Sequence, residues 1–194
     1  FLMINLIICG APGCGKGTQS DLIVRKYNLT HISTGDLLRK EIADNTELGK
    51  VAYQYISKGQ LVPDQMIIDI LANKLNSLQN SNTNGIILDG FPRTLAQAEA
   101  LEKLFSERDT QTDILLDLQV DEDELIARLL KRGETSGRSD DNLETIKKRL
   151  DVYYNQTKPV SDYYQSLGKY AGIYGMGTID EIFGRISETI DAKL

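Results

Sequence analysis

Short runs of β-branched residues and leucine alternate along this chain with longer stretches in which apolar positions recur at helical spacing. Runs of the first kind occupy Ile4 to Cys9, Thr30 to Ser33, Gly85 to Leu88, Ile114 to Gln119 and, more weakly, Tyr170 to Tyr174, and they read as strands. A continuous apolar run marks a strand buried on both faces, and strands separated by helices pair in parallel. The pattern predicts an α/β fold: a doubly wound five-stranded parallel sheet with helices on both faces.

Helix signals fill the intervals. Pro63 and Asp64 open a helix that carries Met66, Ile67, Ile70 and Leu71 on one face. Thr94 followed by Gln97 resembles a capping box for a helix running through Phe105. Asp121 to Glu124 place acidic groups in a first turn, where the helix dipole favours them. Tyr153, Tyr154, Tyr163 and Tyr164 flank a break near Pro159 at helical spacing, which predicts core and interhelix packing rather than an aromatic binding box. Two segments depart from the alternation. Residues 34–62 read as two short helices, broken near Asp44-Asn45 and ending at Lys58-Gly59-Gln60. Residues 132–141 are polar, contain Gly133 and Gly137, and lie between two helices. Both are expected to be small mobile lobes on one domain.

Composition narrows the setting. A chain of 194 residues, 41% hydrophobic and 26% charged, suits one globular domain. A net charge of −6 supplies no basic excess, so nucleic acid and anionic membrane are not expected partners. Cys9 and Cys14 are the only cysteines, too few for a disulfide framework or a four-cysteine zinc site, and a reducing cytoplasm is the expected compartment. The apolar start lacks a basic flank, carries Asn5 and has no room for a leader cleavage site before the following loop, and no segment has the length of a membrane span. Phe1 and Leu2 precede the first methionine and carry no weight. His31, the sole histidine, has no partner at ligand spacing and is read as a satisfied strand residue.

The first strand leads into Gly10-Ala11-Pro12-Gly13-Cys14-Gly15-Lys16-Gly17-Thr18. A buried strand that breaks into a glycine-rich turn and then opens a helix aims consecutive amides at one point, with the positive end of the helix dipole behind them. Lys16 adds a mobile charge, and the whole reads as a nucleotide phosphate cradle. Gly17 stands where the general phosphate-loop pattern has Ser or Thr.

Four further segments join the loop: Ser33-Thr34-Gly35-Asp36-Leu37-Leu38-Arg39, Leu88-Asp89-Gly90-Phe91-Pro92-Arg93-Thr94, Gln97, and Arg132-Gly133 through Gly137-Arg138-Ser139-Asp140-Asp141-Asn142. Together they closely resemble adenylate kinase, over almost the whole chain and in the same order, including the Gly17-Thr18 ending. The resemblance implies phosphoryl transfer between MgATP and AMP to give two ADP. It implies a core of residues 1–32, 63–130 and 142–194, an AMP-binding lobe of 33–62 and a short lid of 131–141. It assigns the ATP phosphates to Lys16 and the amides of Gly13, Cys14, Gly15, Gly17 and Thr18, and the ATP adenine to Arg128 and Gly177. Arg39 and Arg93 would hold the AMP phosphate, and Arg132, Arg138 and Arg149 would close over the transferring group. Thr34, Gln60, Leu61, Val62, Gly90, Phe91, Pro92 and Gln97 would complete the AMP site. Asp89, with Asp36, would hold Mg²⁺ through water; no zinc is expected, and two swinging lobes suit a monomer.

Taken singly, Arg128, Arg132 and Arg149 also read as members of solvated helix faces, and Gln97 as the partner of Thr94. A kinase for CMP or UMP is the alternative within the same architecture. A GTP-binding switch is weaker, because Asn73-Lys74-Leu75-Asn76 lacks the aspartate of a guanine-reading motif and falls within a helix.

Overall fold

The computed structural model describes residues 3–78 and 82–193. Phe1 and Leu2 fall outside that range. Strands β1 (Ile4–Gly10), β2 (Thr30–Ser33), β3 (Gly85–Asp89), β4 (Ile114–Gln119) and β5 (Tyr170–Tyr174) form one sheet in the order β2-β3-β1-β4-β5, parallel throughout. All five predicted strands are present, with β1 and β3 each one residue longer at the carboxyl end. The continuous apolar run of β1 is explained by its central place: every one of its residues is buried, and it pairs with β3 on one side and β4 on the other.

The strand order fixes where a ligand can sit. After β1 the chain crosses to β2, and after β3 it crosses the other way to β4, so a crevice opens between the carboxyl ends of β1 and β3. Helix α1 (Lys16–Tyr27) starts at that edge, while α2 (Thr34–Ala43) and α3 (Glu47–Ile56) form the insertion after β2, as the sequence pattern predicts. Helix α4 (Asp64–Ser77) buries Ile67, Leu71 and Leu75, and α5 (Leu95–Ser106) buries Ala98, Leu101 and Phe105. Burying an apolar side chain of this size contributes about 1.5–3 kcal/mol, so each stripe holds its helix in place.

Two sequence expectations are corrected here. Residues 132–141 are not all loop, because α6 (Glu122–Ser136) runs four residues past Arg132 and stops only at Gly137, which is left-handed with φ 64°. Gly133 sits inside that helix for a packing reason: a Cβ there would lie 2.6 Å from the Asp141 carbonyl oxygen, so glycine lets the returning chain press against α6. Nor does Pro159 break the helix. A π-helical turn at Tyr153–Thr157 joins α7 (Leu143–Val152) to α8 (Lys158–Ser166) with right-handed backbone at both joints. The wider turn accommodates the proline, which lies in the first turn of α8 where its missing N–H leaves nothing unsatisfied. Of the four tyrosines, Tyr153 and Tyr164 are buried and Tyr154 is exposed, each pair meeting edge to face at 5.3 Å. Helix α9 (Ile179–Asp191) closes the fold against α1 and β5, opened by a full capping box between Thr178 and Glu181.

Candidate active site

The residues between β1 and α1 form a tight turn whose backbone needs glycine at Gly13 and Gly15, with φ of 86° and 91°. A Cβ on Gly13 would lie 2.9 Å from the Leu125 carbonyl oxygen, so α6 packs directly on the turn. Gly17 differs. Its φ is ordinary and a Cβ there meets nothing within 4 Å, so the protein's own packing does not require glycine at the one position that departs from the general phosphate-loop pattern. Gly17 faces an open cavity, and the space kept clear belongs to whatever fills it.

That open cavity is lined by Gly13, Gly15, Lys16, Gly17, Thr18, Asp36, Asp89, Arg128, Arg132 and Arg138. Two residues assigned to it from the sequence do not line it. Cys14 is buried, and its amide already donates to the Ala11 carbonyl at 3.1 Å. Gly177 lies in neither cavity described here; its left-handed φ of 114° and the Glu181 carboxylate, which a Cβ would meet at 2.6 Å, account for the glycine. Arg128 lines the cavity while its Nε bonds Glu124 one turn earlier at 2.7 Å.

A second, deeper cavity is lined by Thr34, Gln60, Leu61, Val62, Gly90, Phe91, Pro92 and Gln97, with Leu38, Ile56, Ile67, Val152, Tyr153 and Thr157. None of the last six is assigned to a site from the sequence, where Ile67 and Tyr153 read only as packing positions. Five of them are apolar and read as packing positions, and only the approach of α2, α3, α4, α7 and the π-helical turn around one hollow gives all six a wall to form. Thr34 is 2% exposed, and its hydroxyl donates to the Gly90 carbonyl at 2.9 Å, tying the start of α2 to the end of β3. The Phe91-Pro92 peptide bond is cis. The two cavities share Pro12, Lys16, Gly35, Arg39, Gly90, Arg93 and Arg149, so four cations stand in the wall between them.

The arginines on and around that wall are in different states. Asp141, whose side chain is fully enclosed, receives Arg132 through two bonds of 2.7 and 2.6 Å and Arg149 at 3.0 Å. Asp140 also pairs with Arg149 at 3.0 Å. Burial alone would raise the Asp141 pKa, but the Arg132 hydrogen bonds and the Arg149 and Arg138 charges outweigh it, and the carboxyl sits below its ordinary range. Arg39 pairs with Asp36, and Arg93 Nε donates to the Gly90 carbonyl at 2.7 Å. The Arg138 guanidinium makes no hydrogen bond to any described residue. Burial first, then the Arg39 and Arg132 charges, lower the Arg138 pKa; burial and then the Arg149 charge do the same to Arg93. Cations held against one another in this way leave an excess positive potential that an anion relieves.

Asp89 ends β3 beneath the open cavity and is 7% exposed. His31 on the neighbouring strand brings Nε2 to 3.5 Å from its Oδ2, near enough for an ion pair, yet that nitrogen has no hydrogen bond. The expectation of a satisfied strand histidine is corrected accordingly, and the facing carboxylate raises the His31 pKa above its ordinary value. Burial raises the Asp89 pKa, but His31, Lys16 and Arg93 offset that, and the carboxyl is held low. A buried ionised carboxylate without other partners is a hard oxygen ligand. No group of three or more His, Cys, Asp or Glu able to hold a metal occurs among the described residues.

Comparison with known proteins agrees with this geometry. The family model for adenylate kinase matches residues 8–169. The adenylate kinase of Parabacteroides distasonis is 61% identical over 97% of this chain and 98% of its own length. Those of Bacteroides thetaiotaomicron and Porphyromonas gingivalis are 58% and 52% identical over 97% of this chain and 99% and 96% of theirs. The matched span ends just before β5 and takes in the residues that line the two cavities, and the chain belongs to the adenylate kinase family.

Proposed function

We propose that this chain transfers a phosphoryl group reversibly from MgATP to AMP, giving two ADP, with the open cavity as the ATP site and the deep cavity as the AMP site. The observation that carries this reading is the shared wall: a glycine-loop cavity and an apolar-walled cavity meet at Lys16, Arg39, Arg93 and Arg149. Two nucleotides facing each other across that wall bring together about six negative charges, and the cations between them make the approach favourable.

The attacking group is a phosphate oxygen that is already anionic, so the chemistry requires no general base. Lys16 and the loop amides hold the donor phosphates; Arg39 and Arg93 hold the acceptor phosphate. Arg132, Arg138 and Arg149 meet the charge that develops on the transferring group, and Asp140 and Asp141 orient two of the three beforehand. The carboxylate of Asp89 fits a hydrated Mg²⁺, which would neutralise donor phosphate charge; Asp36 also faces that cavity, where it pairs with Arg39. Zinc has no role in this reading. The lobes of residues 33–62 and 131–141 close over the two nucleotides and exclude water that would otherwise accept the phosphoryl group. In this reading the two lobes, which must swing freely, suit a monomer, and the free Cys9 and Cys14 suit a reducing cytoplasm.

A coupled assay of ADP formation from MgATP and AMP, with CMP and UMP as competing acceptors, tests the proposal. AMP is expected to be the preferred acceptor by a wide margin. Absence of ADP, or a preference for CMP or UMP, would overturn it.

A further inference from the structure

Gln97 lies in the first turn of α5, lines the deep cavity and is 3% exposed. Its side chain does not complete the reciprocal half of a capping box with Thr94. Instead Oε1 accepts the backbone N–H of Arg93 at 2.7 Å, and Nε2 donates to Asp64 Oδ1 at 2.8 Å. The same Asp64 oxygen accepts the Thr94 hydroxyl at 3.3 Å, while that hydroxyl accepts the backbone N–H of Gln97 at 3.2 Å. Asp64 was read from the sequence only as a helix start. In the structure it reaches across from α4 to the head of α5, 33 positions along the chain.

A carboxamide can ordinarily turn over, exchanging oxygen and nitrogen, at little cost. Here it cannot. A backbone N–H only donates and a carboxylate only accepts, so the reversed amide would set two donors together at Arg93 and two acceptors together at Asp64. The Thr94 hydroxyl is fixed in the same sense, because it receives the Gln97 N–H and therefore directs its own proton to Asp64. One lone pair on Oε1 and one hydrogen on Nε2 remain, both on a side chain that lines the cavity.

We propose that Asp64 is a specificity-determining positioning residue: through Gln97 it fixes the order of acceptor and donor presented to the base, which selects 6-aminopurine over 6-oxopurine monophosphates. The inference rests on the deep cavity being the acceptor-nucleotide site. A 6-aminopurine offers an N–H donor at the six position and an acceptor at N1, complementary to a fixed oxygen and a fixed NH₂. A 6-oxopurine offers the reverse, a carbonyl and an N1–H, and meets like against like. The Arg93 N–H supplies one end of this control and Asp64 the other, and only Asp64 is open to substitution without touching the backbone.

The test compares kcat/KM for AMP and for IMP, with MgATP as donor, in the wild-type protein, Asp64→Leu and Asp64→Asn, each checked for folding by its melting transition. In Asp64→Leu the AMP to IMP ratio is expected to fall by about tenfold, the weight of one charge-assisted hydrogen bond, with the AMP loss in KM rather than in kcat. Asp64→Asn, which keeps an acceptor oxygen, is expected to restore part of the ratio and serves alone if the leucine variant does not fold. An unchanged ratio in the folded variants, or equal losses with AMP and IMP, would overturn the inference. A wild-type protein inactive with AMP would overturn the underlying site assignment, a result visible before any variant is compared.

Discussion

The phosphate loop and the arginine cluster face the same space from opposite sides and are built in different ways. The loop is contiguous, Gly10 to Thr18, and its donors are backbone amides fixed by strand β1 before it and helix α1 after it. The cluster is assembled from Arg39 on α2, Arg93 before α5, Arg132 on α6, Arg138 in the following turn and Arg149 on α7. The loop's one charge, Lys16, rests on the Gly10 carbonyl at 3.4 Å, and its amides need no counter-charge, since they are neutral and glycine gives them their direction. The cluster does need it: Asp36, Asp140 and Asp141 partner Arg39, Arg132 and Arg149, while Arg138 has no hydrogen-bonded partner among the described residues. A backbone cradle is rigid by construction, whereas a cradle of long side chains must be held open by ion pairs until an anion arrives.

Substitutions on the two sides test this contrast. Lys16→Ala removes the loop's only charge and is expected to lower turnover by roughly three to five orders of magnitude, with the melting transition preserved. Near-wild-type turnover in a folded variant would break the comparison at its root. Arg138→Ala removes the cluster member without a partner and is expected to lower turnover by roughly two to four orders of magnitude without loss of stability, because no internal ion pair is broken. A large drop in stability would show that Arg138 is held by the protein rather than reserved for ligand.

Asp141→Asn leaves the cluster intact but loosens it. Turnover is expected to fall by roughly ten- to a hundredfold and stability by about 1–3 kcal/mol, since two guanidinium groups lose a charged acceptor. The stability loss should depend on pH in a defined direction. The folded-state pKa of Asp141 is held below its ordinary 3.8, so its contribution is present above that value and disappears as the pH falls through the folded-state pKa. Melting curves of wild type and variant should differ by a constant amount from pH 7 to 5 and converge in more acidic solution; a gap that widens in acid would refute the pairing. The smallest effect belongs to Asn142→Ala. Its side chain caps α7 by accepting the Thr145 N–H at 3.0 Å, and losing it should cost about 1 kcal/mol with a minor change in the KM for AMP through Arg149. A loss confined to turnover would contradict a capping role.

Much of this was readable along the chain. All five strands follow from apolar runs, and the split of residues 34–62 into α2 and α3 follows from the breakers between them. Errors fell where local signals meet tertiary contact. The polarity of residues 132–141 suggests a loop, but α6 continues because Gly133 lets Asp141 pack against it. The Thr94 and Gln97 spacing suggests a closed local cap, but Gln97 turns to Arg93 and Asp64, and no local pattern announces a partner on another helix. His31 reads as inert until β2 and β3 set it beside Asp89.

By itself the sequence determined the parallel sheet, the phosphate loop and the supply of cations, because apolar period, glycine geometry and residue charge are properties of neighbours in the chain. Tertiary structure decided which arginines are already paired and which is not, that five apolar residues and Thr157 wall a cavity while three of them also pack in the core, and which way Gln97 faces. Each of these depends on the distance and direction between groups brought together by the crossing of α2, α4, α5, α6 and α7 over one edge of the sheet. A hydrogen bond or an ion pair is set by that geometry and has no one-dimensional signature.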